Sequence, residues 1–167
     1  MLRVDDWWAC VDIDPVVPLE DSIGELGRLQ SEGKVRFIGV SEFTVDELKR
    51  ACAVAPIATV QNRYNILERK HEPVLDYCEA NGIGFIPWYP LGAGPLSAEN
   101  VPLGAMAHRL GVTPAQVALA WLLARSPVML LIPGTTSIAH LEQNTAAADV
   151  RLSATDMAEL NKISNAS

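Results

Sequence analysis

Val128-Met-Leu-Leu-Ile-Pro-Gly-Thr-Thr-Ser137 runs straight into Ile138-Ala-His-Leu-Glu-Gln-Asn144. The apolar run stops at Pro133-Gly134, and a helix-like segment starts beyond two threonines and a serine. The spacing predicts a strand over 128–132, a tight turn, and a helix over 139–147. The first N–H groups of a helix lack intrahelical acceptors and carry the positive end of its dipole, so the junction suits a phosphate. It reads equally as an ordinary strand-to-helix connection with Ser137 as N-cap.

Working outward, the chain has 167 residues, 49% hydrophobic and 20% charged, a globular composition sufficient for one domain over 1–167. A net charge of -7 and a pI near 4.9 argue against a nucleic-acid partner, which demands Lys and Arg to neutralise phosphates. Cys10, Cys52 and Cys78 are odd in number and widely spaced, matching neither a disulfide framework nor a zinc pattern. They read as reduced, buried thiols of a cytoplasmic protein. No apolar run approaches a membrane span, and the N-terminus lacks the plan of a signal peptide.

Upstream, the same strand-then-helix plan repeats. Helices are predicted over 19–32, 44–54, 71–80, 103–110, 113–123 and 153–163, with strands over 35–40, 57–60 and 83–86 and a further candidate at 7–11. Thr44-x-x-Glu47 is a capping box, and Thr113-Pro-Ala-Gln116 adds proline at the first helical position. The segment 117–123 is apolar nearly all round and so buried. A Gly/Pro-rich loop over 87–102 is too long for a bare connector. Short strands alternating with helices predict an α/β fold, a partial (β/α)8 barrel of four to five parallel strands. Ser41-Glu42, Gln61-Asn62, Trp88-Tyr89 and Gly134-Thr135 follow four consecutive strands in phase, as a ligand-facing rim would. Each is also an acceptable loop pair.

These residues resemble the aldo/keto reductase family. The likeness runs from Asp14-Pro15-x-x-Pro18 through Gly33-Lys-Val-Arg-Phe-Ile-Gly-Val-Ser41, Val60-Gln-Asn62, Pro90-Leu-Gly92, Gly111-Val-Thr-Pro-Ala-Gln116 and Ile132-Pro-Gly-Thr135 to Asp156. The resemblance implies a (β/α)8 barrel that reduces aldehydes and ketones with NADPH, present here as its C-terminal half, N-terminally truncated. It places Ser41, Glu42 and Gln61 at the nicotinamide carboxamide, with Glu42 where the family has Asn. Trp88 takes the place of the aromatic that stacks on nicotinamide, usually Tyr. Leu91 and Gly92 line the pyrophosphate, Gly134 and Thr135 lie beside the adenosine phosphate, and Gln143 and Asn144 contact adenine. Where an arginine commonly grips the 2′-phosphate, Ser137 and His140 stand instead, and neither supplies a fixed charged fork. NADP is therefore the implied cofactor, with NAD left open.

The family's catalytic Asp, Tyr and Lys lie on earlier strands, and Val11 occupies the place of its active-site His. His71, His108 and His140 read as solvated surface residues on helices. No catalytic residue and no metal ligand is assigned, and the chain alone is expected to be inactive. A carbonyl substrate is expected only if the barrel is completed, its choice set partly by 93–101. The alternatives are a non-catalytic dinucleotide-binding or barrel-completing subunit, self-associating through open sheet edges around Trp7-Trp8, or a truncated gene product.

Overall fold

Short apolar strands alternate with helices in the first part of the structure and helices alone make up the rest, in a computed structural model that describes residues 8–11, 14, 16–92 and 101–163. In order these are β1 (Trp8–Val11), α1 (Leu19–Ser31), β2 (Phe37–Ser41), α2 (Val45–Val54), β3 (Ile57–Arg63), α3 (Glu72–Asn81) and β4 (Gly84–Trp88). Then come α4 (Val101–Leu110), α5 (Pro114–Arg125), α6 (Ile138–Ala146), a 3-10 turn (Ala147–Asp149) and α7 (Ala154–Leu160). The strands form one sheet in chain order, and β1 with β2 and β2 with β3 pair in parallel. Parallel neighbours need a crossover, and the helices between them supply it. Among the described residues no helix is long and apolar enough to cross a membrane.

The chain divides into two compact units, Met1–Asn62 with Pro73–Ile86, and Arg63–Glu72 with Pro87–Ser167. In the first, Ile38 and Val40 of β2, Val60 of β3 and Phe85 of β4 are fully buried. Helix α1 buries Ile23 and α2 buries Leu48 and Ala51. Gly33, at φ 74, sits where a left-handed turn ends α1. The predicted box forms on α2: the Thr44 hydroxyl accepts from the Glu47 N–H at 3.4 Å, and the Glu47 carboxylate accepts from the Thr44 N–H at 2.8 Å. The two helices are joined by Arg50, which donates to both Glu20 oxygens at 2.7 and 2.8 Å. Both side chains are about half exposed, so this pair adds little stability. Cys78 is buried, which pushes its thiol up to about 12, and Cys52 is half-buried. Both are free thiols, as read from the sequence.

The second unit is organised around α5, which buries every residue from Gln116 to Leu122. Trp121 stacks on Tyr64 with ring centroids 6.0 Å apart and donates its indole N–H to Asn161 Oδ1 at 2.8 Å. Arg69 lies 4.5 Å over the Trp121 ring and donates to the carbonyls of Leu160, Asn161 and Ile163 at 3.1, 3.0 and 2.7 Å. One guanidinium therefore closes the C-terminal end of α7, whose last carbonyls have no intrahelical donor. At the other end of α7, Asp156 completes a capping box with Ser153 and pairs with Arg109 at 2.6 Å. The bonds from Ser153, then Arg109, hold its carboxyl below the usual range.

Three expectations need correction. Residues 128–132 form no strand; only Met129 makes an isolated bridge, and Leu130 and Ile132 are 52% and 47% exposed. An apolar run states what a segment would bury, not which ladder accepts it. His71 is neither helical nor solvated: α3 starts one residue later, and the imidazole is only 7% exposed. Helix α4 begins at Val101, two residues earlier than its pattern suggested. Trp7, parts of the 12–18 loop, and 93–100 lie outside the described residues.

One buried amide positions the loop beyond β2. Asn62 is 0% exposed; its Oδ1 accepts from the Phe43 N–H at 3.2 Å and its Nδ2 donates to the Phe43 carbonyl at 2.8 Å. Removing it strands two buried backbone groups, so Asn62→Ala is expected to cost about 2–4 kcal/mol. Urea unfolding checks this; a change below about 0.5 kcal/mol would show the loop to be held by other contacts.

Candidate functional site

The parallel register of β2 and β3 sets Ser41 directly beside Gln61. The next residue, Glu42, donates its N–H to the Gln61 carbonyl at 3.0 Å. Its φ is 57, a left-handed conformation that a non-glycine residue adopts at a cost of about 1 kcal/mol, and one that Asn tolerates better. Ser41 and Gln61 are half-buried and Glu42 is exposed. The first unit thus brings together three of the residues singled out from sequence: a hydroxyl, a carboxamide with both donor and acceptor, and a carboxylate.

In the second unit, Trp88 ends β4 and the chain turns sharply. Tyr89 has a φ of 63, and its carbonyl accepts from Asn65 Nδ2 at 3.2 Å and from the Gly92 N–H at 3.0 Å. Gly92 is itself left-handed at φ 66, which closes a turn with Leu91 at its centre. The Trp88 carbonyl accepts from the Tyr64 N–H at 3.4 Å. Two aromatic rings, 6.1 Å apart and tilted by 52°, are presented at this corner, both half-buried. Non-glycine strain of this sort survives only where several bonds hold it.

The start of α6 forms the remaining group. Thr135 Oγ1 accepts from the Ser137 N–H at 3.1 Å, and Ser137 Oγ accepts from the His140 N–H at 3.4 Å, so Ser137 is the N-cap. The N–H groups of Ile138 and Ala139 at this terminus have no intrahelical acceptor. A Cβ built on Gly134 would meet nothing within 4 Å, so the approach is open. His140 and Gln143 are exposed and Asn144 is half-buried. No Lys or Arg occurs between Pro133 and Asn144. Among the described residues no three His, Cys, Asp or Glu cluster as metal ligands would.

Sequence reasoning missed the supports of these groups. Arg63 and Glu68, which flank the β4 corner, follow Gln61 closely but carry no motif. Asn65 caps its own turn, accepting from the Leu67 and Glu68 N–H groups at 2.9 and 3.0 Å. An Asn-x-x-Glu run after a strand was the available signal for that turn. The strain at Glu42 and Tyr89 had no signal, because neither residue type favours a left-handed backbone.

Comparison with known proteins bears on the family and the fold. The profile described as the aldo/keto reductase family matches residues 3–165. An uncharacterized oxidoreductase of Schizosaccharomyces pombe is 46% identical over 94% of this chain and 51% of its own length. Pyridoxine 4-dehydrogenase of Escherichia coli is 43% identical over 87% of this chain and 51% of its own. The solved aldo/keto reductase from Klebsiella pneumoniae, in complex with NADP and acetate, aligns with a TM-score of 0.83 at 28% identity, covering 96% of this chain and 60% of that one. The chain therefore spans about half the length of the curated relatives it matches. Its α/β order is that of part of a (β/α)8 barrel. On a family match over nearly all of its residues, the protein belongs to the aldo/keto reductase family.

Proposed function

We propose that these 167 residues carry the cofactor-holding side of an aldo/keto reductase, and that by themselves they bind a nicotinamide dinucleotide without reducing carbonyls. The observation that carries this reading is the in-register pairing of Ser41 with Gln61. It sets a hydroxyl and an amide side by side, the donor and acceptor set that a carboxamide requires. The second unit, taken by itself, carries further residues of the kinds such a cofactor uses. The Trp88 indole offers a flat π-face for stacking. Leu91 and Gly92 form a tight backbone turn, and the open Gly134–Thr135 approach leads to the first N–H groups of α6, where a phosphate is favoured. Gln143 and Asn144 lie along that helix as adenine-side contacts, with Ser137 and His140 at the 2′-phosphate position. When bound, a reduced nicotinamide supplies hydride to a carbonyl carbon; this chain's residues would hold and orient the cofactor.

Two features temper the fit. Glu42 brings a carboxylate where an amide would donate. The α6 start offers no fixed cation for a 2′-phosphate, so NADP, the cofactor bound in the Klebsiella pneumoniae enzyme, is expected to be held only modestly better than NAD. Proton delivery to a carbonyl oxygen needs an acid poised beside it, and the resemblance assigns that acid to none of these 167 residues. A carbonyl substrate would then be turned over only when further strands complete the barrel. The exposed Leu130, Ile132, Ile138 and Leu141, from 47% to 76% accessible, favour a barrel-completing or self-associating role as a second reading.

Purified full chain with NADPH and a simple aldehyde should oxidise no more cofactor than a protein-free blank; steady oxidation proportional to protein would overturn the proposed inactivity. Glu42→Asn is expected to raise stability by about 0.5–1 kcal/mol, since Asn tolerates the left-handed backbone, and also to tighten NADPH binding. A lowered melting temperature would contradict the first expectation, and weaker binding the second.

A further inference from the structure

Arg63, the last residue of β3, places its guanidinium 5.3 Å from the Trp88 ring centroid and 4.7 Å from that of Tyr89. Both separations fall inside the range where a cation is attracted to a ring face. The guanidinium is held in turn by Glu68: Nη2 donates to Oε1 at 3.0 Å, and Nε lies 2.7 Å from Oε2 as an ion pair without hydrogen-bond geometry. Glu68 sits on the turn that Asn65 caps, and Asn65 also donates to the Tyr89 carbonyl at 3.2 Å. The segment after β3 therefore grips the Trp88-Tyr89 corner by backbone, by amide and by cation.

An ordinary surface ion pair is the plainer description. The two side chains are 43% and 33% exposed, and pairs of that kind contribute little to stability. That weakness is informative. An ion pair with one hydrogen bond, on a short capped turn and lying against two aromatic rings, does more for orientation than for folding energy. An indole at the end of a strand has freedom about two side-chain torsions, and a stacking surface is useful only if its plane is set beforehand.

We infer that Arg63 is a positioning residue: braced by Glu68, it sets the plane of the Trp88 indole on which the nicotinamide would stack. The inference rests on the reading of Trp88 as that stacking surface. Arg63 acts through Trp88 and needs no contact with the cofactor itself.

A double-mutant cycle on the full chain tests it, with NADPH binding followed by fluorescence titration. Arg63→Met should weaken NADPH binding about three- to thirtyfold, the range expected of a partly desolvated cation–ring contact. In a Trp88→Leu background the same change should alter binding by less than about twofold, because the coupled partner is gone. Arg63→Lys, which keeps the charge but not the planar fork, should fall between wild type and Arg63→Met. Glu68→Gln, which leaves the guanidinium in place but unbraced, should show the same dependence on Trp88. Additive losses in the cycle, or an unchanged affinity in Arg63→Met, would overturn the positioning role while leaving the cofactor reading intact. Absence of NADPH binding by the wild-type chain would overturn both.

Discussion

Parallel pairing of β2 with β3 is the constraint on which the candidate residues of the first unit depend. Parallel strands start and stop together, so a helix must return the chain between them, and residues at their downstream ends become neighbours. Ser41 and Gln61 lie twenty positions apart in sequence and side by side in the register. The bond from Glu42 to the Gln61 carbonyl and the Asn62 amide on Phe43 extend that pairing past the end of the ladder. The loop is thus an extension of the sheet, held in part by an amide and a backbone that are fully buried.

The second unit solves a similar problem with different means. Its corner at Trp88-Tyr89 has a left-handed tyrosine, kept there by two bonds to one carbonyl. The neighbouring Arg63 and Arg69 both lie over aromatic rings, yet they work on different scales. Arg69 is part-buried, satisfies three terminal carbonyls and lies on Trp121, so it is a fastening of the core. Arg63 is half exposed and braced by one carboxylate, so its energetic weight is small and its effect is on geometry.

Much of this was legible in the sequence wherever the signal is local. Thr44-x-x-Glu47 and Thr113-Pro-Ala-Gln116 form the capping boxes they spell, and the all-apolar stretch at 117–123 is, through Leu122, the buried centre of α5. The α/β order and the family followed from several motifs in sequence. What failed was non-local. The run at 128–132 has the composition of a strand, but pairing depends on partners elsewhere, and two of its side chains are exposed. His71 was read by residue type as a surface imidazole and is buried because the chain turns at that point. Arg63 and Asn65 were passed over because their roles arise from contacts with a strand end more than twenty residues away, and Glu68 because it acts through Arg63.

The proposed function requires this chain to keep a working grip on a nicotinamide dinucleotide while spanning about half the length of its curated relatives. Calorimetric titration of the purified full chain with NADPH tests that claim most directly. Saturable binding near one molecule per chain, lost or sharply weakened when Gln61 is changed to Ala, is the result expected of the Ser41–Gln61 pairing. Heats no larger than dilution at millimolar cofactor, or binding indifferent to Gln61→Ala, would contradict it.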